Sequence, residues 1–193
     1  MSSLGGVSDD SIANAAHYPL LGVYDSQDER LIEAHIILAK SSGIDGFVVS
    51  WWGINSFKDK SLEKIIKIAE KHDFKITIYY ESYRPWNPPS MNQIIDELSY
   101  IITKYSKSSE FIKVDGKPVI FIYAIESYER GPEFWLHLRK SLEEKVGATY
   151  LIGDTRNSNY LHVFDGFHTY IELNREIMKN LYVFYNTTMK VGD

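Results

Sequence analysis

The sequence predicts an α/β fold in which parallel strands alternate with helices. Four short apolar runs, at residues 47–49, 76–80, 119–123 and 150–152, each stop at a polar or aromatic residue. Stretches with helical spacing separate these runs, and a last strand is expected near 164–170. Parallel strands covered on both faces read as continuous apolar runs. Because βαβ crossovers are right-handed, this β-α-β-α-β-α-β pattern predicts one parallel sheet.

Such a sheet belongs either to part of a barrel or to an open nucleotide-binding fold. Neither GxGxxG nor GxxxxGK[ST] follows any predicted strand, and these glycine-rich loops are typical of nucleotide-binding sheets. We therefore favour the (β/α)-barrel lineage. A full (β/α)₈ barrel takes about 250 residues, whereas this chain has 193. The sequence predicts an incomplete TIM barrel of five to six parallel βα units.

The helices are predicted from capping signals and apolar spacing. Ser26 and Glu29 predict a capping box at the first helix, and Ser90 and Gln93 predict one at the third. Pro132 is expected in the first turn of the fourth helix. The residues predicted to face inward are Leu31, Ile32, His35 and Ala39 in the first helix, Leu62, Ile65, Ile66 and Ala69 in the second, Met91, Ile94, Ile95, Leu98, Ile101, Ile102 and Tyr105 in the third, and Trp135, Leu138 and Leu142 in the fourth.

The length fits a single domain with a substantial core. Residues 1–17 are mostly small or polar and lack periodicity, so we expect a disordered lead-in there. Residues 18–193 are expected to form the domain, with a fifth helix from about 174 to 184.

Composition argues against several functional classes. The net charge is −5 and no basic stripe stands out, so nucleic acid is not an expected partner. The chain has no cysteine, which excludes disulfides and thiol catalysis, and no HExxH-type cluster predicts a metal site. No apolar run reaches the roughly 18 to 20 residues that span a membrane. The N-terminus lacks signal-peptide features, and a cytoplasmic location is expected.

Carboxylates follow two of the predicted strands. Ligands bind at the carboxyl ends of strands in barrels, where Glu81 and Glu126 stand. Burying Glu81 is costly unless something binds it, so it is either a site residue or the partner of an arginine such as Arg84. The two glutamates could lie together as the carboxylate pair of a glycosidase. Such a pair is roughly 5 to 5.5 Å apart in retaining enzymes and roughly 6.5 to 9.5 Å apart in inverting enzymes. Otherwise they are pocket-lining or ion-paired residues.

Aromatic residues accompany these carboxylates. Trp51 and Trp52 end the first strand, and alternation sends their side chains to opposite sides. We expect one to offer a platform for a sugar face and the other to join the core. Tyr83 and Tyr128 are further candidates for substrate contact, and the loop 86–89 would form a wall of the groove or space the next helix.

The last two strands supply the remaining candidates. Asp154 would bind a substrate hydroxyl, orient Arg156, or cap the turn that follows. His168, Tyr170 and Glu172 alternate along one strand and therefore share a face. They would contact a sugar or form a polar layer in the interior of the barrel.

Five segments, in this order, resemble glycoside hydrolase family 99, the endo-α-mannosidase and endo-α-mannanase family. Residues 18–26 (YPLLGVYDS) resemble its "YPxLGxYSS" opening, and 50–52 (SWW) resemble its "SWY" or "SWW" strand end. Residues 75–83 are similar to "KVxFHIEPY". Residues 117–128 are similar to "PxFYxYDSY", and 164–170 to "GFDGxYTYF".

The resemblance implies a (β/α)₈ barrel that cleaves internal α-mannosidic bonds with retention, without a metal or other cofactor, on an oligosaccharide or polysaccharide. It implies that Glu81 hydrogen-bonds sugar hydroxyls. The family's catalytic glutamates lie in a "NEWxEG" motif, and no Asn-Glu-Trp occurs in these residues. No catalytic residue is therefore matched, Glu81 and Glu126 stay candidates on chemistry alone, and the chain looks truncated at both ends.

The chain also departs from the family pattern inside the matched segments. Tyr79 stands at a histidine, Ser82 at a proline and Glu126 at an aspartate. Two alternatives remain open. One is a glycan-binding or scaffold protein without catalysis. The other is one part of a split barrel completed by another chain or by self-association, because exposed sheet edges invite pairing.

Overall fold

The computed structural model describes Gly22 and residues 24–170. The predicted lead-in, the helix near 174–184 and Glu172 lie outside these residues. No helix in the described part is long and apolar enough to cross a membrane. The elements in chain order are α1 (Glu29–Ser41), β1 (Gly46–Trp51), α2 (Phe57–His72), β2 (Lys75–Tyr80), α3 (Met91–Tyr105), β3 (Lys113–Val114), β4 (Lys117–Ile122), α4 (Pro132–Val146), β5 (Tyr150–Asp154) and β6 (Gly166–His168).

Five of the strands form one parallel sheet in the order β1-β2-β4-β5-β6. Neighbours in the sheet are also successive βα units along the chain, which is how a (β/α) barrel is wound. The predicted α/β fold of the barrel lineage is confirmed. The last strand is shorter than the predicted 164–170, because the pairing with β5 begins at Gly166 and ends at His168.

The start of α1 differs from its prediction. Asp28 is the N-cap, and its carboxylate accepts a hydrogen bond from Arg30 N at 2.9 Å. The expected box of Ser26 and Glu29 is therefore wrong: an aspartate one residue before the helix already occupies the capping position. The inward face is also shifted, since Ile36 is fully buried.

The other predicted helices begin where expected. Ser90 caps α3, and its hydroxyl accepts a hydrogen bond from Gln93 N at 3.2 Å. The amide of Gln93 turns to Glu97 at 3.2 Å, so only half of the predicted box forms. Pro132 is the first residue of α4, and Gly147 ends that helix.

A short hairpin escaped the sequence prediction. Strand β3 pairs antiparallel with the start of β4 across Asp115 and Gly116. Both turn residues have positive φ, 50° and 77°, as a type I′ turn requires. The Asp-Gly pair is a hairpin signal in the sequence, but the arms are too short to show as strands. This hairpin lies at the amino ends of the parallel strands, away from the candidate site.

The two faces of the parallel sheet differ in what covers them. One face packs on the helices and holds the core. The other face is partly open, since Val48 in the middle of β1 is 46% exposed. The prediction that both faces are covered is therefore wrong for β1. Buried core residues on the helix face are Trp51, Ile76, Ile78, Tyr80, Ile120, Ile122 and Leu151.

A buried carboxylate ties β1 to two helices. Asp59 accepts hydrogen bonds from Trp51 Nε1 at 2.9 Å, Tyr105 Oη at 2.7 Å, Tyr100 Oη at 2.9 Å and Asn55 N at 3.0 Å. Burial acts to raise the pKa of Asp59, but these hydrogen bonds outweigh it and hold the pKa below its ordinary value. The network fixes Trp51 on the helix side and so directs its neighbour to the open face.

Candidate functional site

A groove of about 660 Å³ lies over the open face, at the carboxyl ends of the parallel strands. Strand register explains its composition, because residues paired across parallel strands share a face. Its walls are mainly aromatic, and among its described lining residues only Glu81 carries a carboxylate. The lining residues are Val48, Ser50, Trp52, Tyr79, Glu81, Tyr83, Pro85, Trp86, Phe121, Tyr123, His168 and Tyr170.

Glu81 follows the last residue of β2 and is 8% exposed. Its Oε1 accepts a hydrogen bond from Ser50 Oγ at 2.7 Å, and Ser50 Oγ accepts one from Trp52 Nε1 at 2.9 Å. Burial raises the pKa of Glu81; the Ser50 hydrogen bond and the Arg84 charge oppose this rise, and the Asp154 charge adds to it. Within the described residues Glu81 has no ion-pair partner. The carboxylate therefore faces the groove with acceptor capacity to spare.

Arg84 is engaged elsewhere. Its guanidinium forms a two-pronged pair with Glu97 at 3.0 and 2.9 Å, both side chains being buried. Glu97 also accepts a hydrogen bond from Tyr80 Oη at 2.5 Å. Only Arg84 Nε reaches Glu81, and it bonds the backbone oxygen at 3.0 Å. Salt-bridging of Glu81 by Arg84, the alternative to a site role, is therefore not what the structure shows.

The loop after Glu81 is held by a second buried arginine. Arg130 donates to Ser82 O at 3.0 Å and to Pro89 O at 2.7 Å, spanning both ends of the loop. Its guanidinium lies over the ring of Tyr128, 4.9 Å from the centroid. Tyr128 in turn stacks on Tyr83, with ring centroids 5.3 Å apart. Tyr83 thus lines the groove, and Tyr128 supports it from behind.

The two tryptophans separate as alternation predicts. Trp52 lines the groove, whereas Trp51 is fully buried and donates to Asp59. The assignment of Trp51 as a substrate contact is therefore wrong, because the helix face of the sheet takes its side chain. Trp86 stands at the rim of the groove, 75% exposed.

Glu126 does not lie in the groove. It is exposed and lines an adjoining pocket of about 370 Å³, where it accepts hydrogen bonds from Thr155 Oγ1 and from Asn157 Nδ2 at 3.2 Å. The structure thus places Glu81 and Glu126 in separate pockets rather than together as a pair.

Burial raises the pKa of Glu81, and the negative charge of Asp154 adds to this rise. Both oxygens of Asp154 are occupied, Oδ2 by Ala124 N at 3.1 Å and Oδ1 by Tyr170 N at 2.9 Å. It therefore fastens the ends of β4 and β6 to β5. This backbone role differs from all three predicted roles of Asp154, and Arg156 is exposed beside it.

His168, the last residue of β6, and Tyr170, two residues beyond it, both line the groove. The His168 ring meets the Tyr79 ring edge to face, with centroids 5.2 Å apart. Burial lowers the pKa of His168, and the Asp154 charge only partly opposes this. Sequence reasoning missed Tyr79, Phe121 and Tyr123 as lining residues, although their period-two spacing with Glu81 and along β4 carried the signal.

This arrangement suits recognition of an uncharged polar molecule. It offers aromatic walls, one carboxylate and a neutral imidazole. Among the described residues no three histidine, aspartate or glutamate side chains are placed to hold a metal ion.

Comparison with known proteins identifies the lineage. The family model for glycosyl hydrolase family 99 matches residues 2–179. This chain belongs to glycosyl hydrolase family 99. The resemblance seen in the five sequence segments is confirmed.

Relatives within family 99 are endo-α-mannosidases. The chain is 29% identical to the glycoprotein endo-alpha-1,2-mannosidase of Xenopus laevis and 27% identical to that of Mus musculus, over 83% of this chain in both cases. The match covers 39% and 38% of those proteins. The structure of the GH99 endo-alpha-mannosidase from Bacteroides thetaiotaomicron superposes with a TM-score of 0.70 at 27% identity, covering 82% of this chain and 48% of that one. The chain thus spans about two fifths of its curated relatives and half of the solved enzyme.

Proposed function

We propose that this family 99 chain binds α-mannoside-type glycans in the groove, as part of an endo-α-mannosidase-like glycoside hydrolase. The observation that carries the proposal is Glu81, a nearly buried carboxylate without an ion-pair partner in the described part, which faces an aromatic groove at the strand ends. The names of the relatives supply the sugar class.

The physical properties of the groove suit a sugar. Ligand pockets measure about 300 to 1,000 Å³ and combine apolar walls with a few polar groups, as this groove does. A carboxylate accepts strong hydrogen bonds from hydroxyls. The Trp52 and Tyr83 rings are positioned to cover the apolar face of a sugar ring.

We assign Glu81 a substrate-binding role rather than an acid or nucleophile role. A glycosidase needs two carboxyl groups at a set separation, and the described groove is lined by only one. Asp154 is bound through both oxygens to backbone N–H groups, and Glu126 lies in another pocket. The proposal therefore assigns substrate binding to Glu81 and leaves bond cleavage to the glutamate motif of the family.

Completion by a second copy or another chain stays a prediction. Among the described strands β1 pairs only with β2, so its other edge has backbone groups to offer. The oligomeric state in solution, measured by light scattering with and without glycan, tests it.

The proposed function is tested by calorimetric titration with an α-1,2-linked mannooligosaccharide, while chromatography monitors product formation. A maltooligosaccharide is the control sugar. Glu81→Gln should weaken binding of the mannoside at least about tenfold, because a charged acceptor is lost. Glu144→Gln on the exposed side of α4 is the matched control and should bind as wild type. Equal binding by wild type and Glu81→Gln would remove the role assigned to Glu81.

A further inference from the structure

Two polar atoms at the floor of the groove lack hydrogen-bond partners. Tyr79 Oη and His168 Nε2 are buried, and neither has a partner among the residues that the structure describes. The third such side-chain atom, Thr149 Oγ1, lies just before β5 at the opposite end of the strands. Burying an unpaired polar atom is costly, and two such atoms on neighbouring rings of one groove point to a site built for a ligand.

The rings that carry these atoms are held in place. His168 contacts Tyr79 and Phe121, with ring centroids 5.2 and 5.3 Å apart. Tyr79 also meets Tyr123 at 5.7 Å and Tyr170 at 6.1 Å. These aromatic contacts restrict the movement of both rings. Both residues line the groove, so a partner for their polar atoms is expected to come from a molecule bound there.

The charges around the pair select the kind of partner. The carboxylates of Glu81 and Asp154 both act on Tyr79, which disfavours an anion. Burial lowers the pKa of His168, so its ring is neutral at neutral pH. A phenol donates and accepts, and a neutral imidazole nitrogen does either according to its tautomer. An uncharged hydroxyl, which also donates and accepts, complements both atoms.

We propose that Tyr79 and His168 jointly recognise one hydroxyl group of the sugar that lies on the groove floor. Tyr79 Oη donates to the hydroxyl oxygen, and the hydroxyl hydrogen is directed to His168 Nε2. This inference rests on the proposed function and adds a specificity determinant to it. Both atoms gain hydrogen-bond partners only when the ligand is bound. The pair therefore strengthens binding, while its unpaired atoms lower the stability of the free protein.

The experiment combines two variants with two measurements. Tyr79→Phe removes the unpaired hydroxyl, and His168→Phe replaces the imidazole, with both of its nitrogens, by an apolar aromatic ring. Tyr150→Phe is the control, because the Tyr150 hydroxyl bonds Asp165 O at 3.1 Å outside the groove. The measurements are Tm without ligand and Kd for an α-1,2-linked mannooligosaccharide and its monodeoxy analogues.

Both groove variants should weaken binding about tenfold, the usual result of losing one well-made hydrogen bond. Without ligand their Tm should equal or exceed that of wild type, since an unpaired atom is removed. Wild type should bind one of the deoxy analogues about tenfold more weakly than the intact sugar. Tyr79→Phe should bind that analogue and the intact sugar equally well. Such non-additivity marks a direct contact. Tyr150→Phe should bind as wild type.

Three results would overturn the inference. If wild type binds the sugar and both groove variants bind it equally, the pair has no role and the proposed function stands. If both variants lower Tm well below that of Tyr150→Phe, the atoms already have partners inside the free protein. If wild type binds none of the mannosides, the proposed function and this inference fall together.

Discussion

Ser50 Oγ, near the end of β1, donates a hydrogen bond to Glu81 Oε1 at 2.7 Å. Glu81 is the first residue after the neighbouring strand β2. Register explains the contact: Ser50 pairs with Tyr79, which places Glu81 two residues further along on the same face. Trp52 Nε1 donates to the same serine oxygen at 2.9 Å, so the Ser50 proton is left for Glu81. An aromatic wall and the groove carboxylate are therefore linked through one hydroxyl.

Ser50→Ala should raise the pKa of Glu81 above its already raised value. The serine hydrogen bond is one of the two effects that lower this pKa, because it stabilises the charged form. The carboxyl carbon of Glu81, followed by NMR through a pH titration, reports the shift. Ser42→Ala, where the lost hydroxyl bonds only Leu38 O, should leave the titration unchanged. An unaltered Glu81 titration in Ser50→Ala would show that the hydrogen bond is not made in solution.

Much of the fold could be predicted from the sequence because its signals are local. Apolar runs gave the strands, and Ser90, Pro132 and Gly147 marked helix ends by capping and backbone preferences that hold in any context. Alternation also predicted that Trp51 and Trp52 would part. It could not say which of them faces the core, since that depends on the Asp59 network formed by residues far along the chain.

The two tryptophans should respond to mutation in opposite ways. Trp52→Ala should leave Tm nearly unchanged and weaken glycan binding at least about tenfold, since it removes a groove wall. Trp51→Phe should lower the free energy of unfolding by about 2 to 3 kcal/mol, because the Asp59 carboxylate loses the hydrogen bond from the indole and the smaller ring leaves a cavity. Thermal melts and mannoside titrations separate the effects. A strong binding loss with intact stability in Trp51→Phe would reverse the assignment.

The candidate site was less predictable than the fold. Glu81 was predicted because a carboxylate directly after a buried strand is costly unless a ligand or partner binds it. The expectation that Glu126 lies beside Glu81 was wrong because three loop residues separate Glu126 from β4, and that loop turns at Ala124 with φ 49°. The Asp154 bond to Ala124 N fixes this turn. Such long-range loop geometry carries no signature in the local sequence.

Asp59→Asn should destabilise the chain by about 2 to 4 kcal/mol. The Asp59 carboxylate accepts four hydrogen bonds. Each of its oxygens faces one N–H group that can only donate, Trp51 Nε1 or Asn55 N, so the NH₂ group of an asparagine would face one of these donors without forming a hydrogen bond. The pKa of Asp59 is below its ordinary value, so its contribution is present above the unfolded value near 4 and is lost as the pH falls further. The stability difference from Asp59→Asn, measured by urea unfolding, should therefore shrink in acid. A difference that stayed constant down to about pH 3 would contradict the network.

His168→Phe should remove part of the acid sensitivity of the protein. Burial lowers the pKa of His168 in the folded state, so the unfolded chain takes up this proton first as the pH falls below the ordinary value near 6.5. Stability is therefore lost with falling pH, from that value down to the folded pKa. The Asp154 charge acts against this effect, while the Tyr79 and Phe121 rings that pack on His168 carry no charge at these pH values.

The measurement compares the melting temperatures of wild type and His168→Phe between about pH 7.5 and pH 5.5. The Tm of the variant should rise relative to that of wild type as the pH falls. The other histidines are common to both proteins and cancel in the difference, so parallel curves would mean that His168 titrates as if it were exposed.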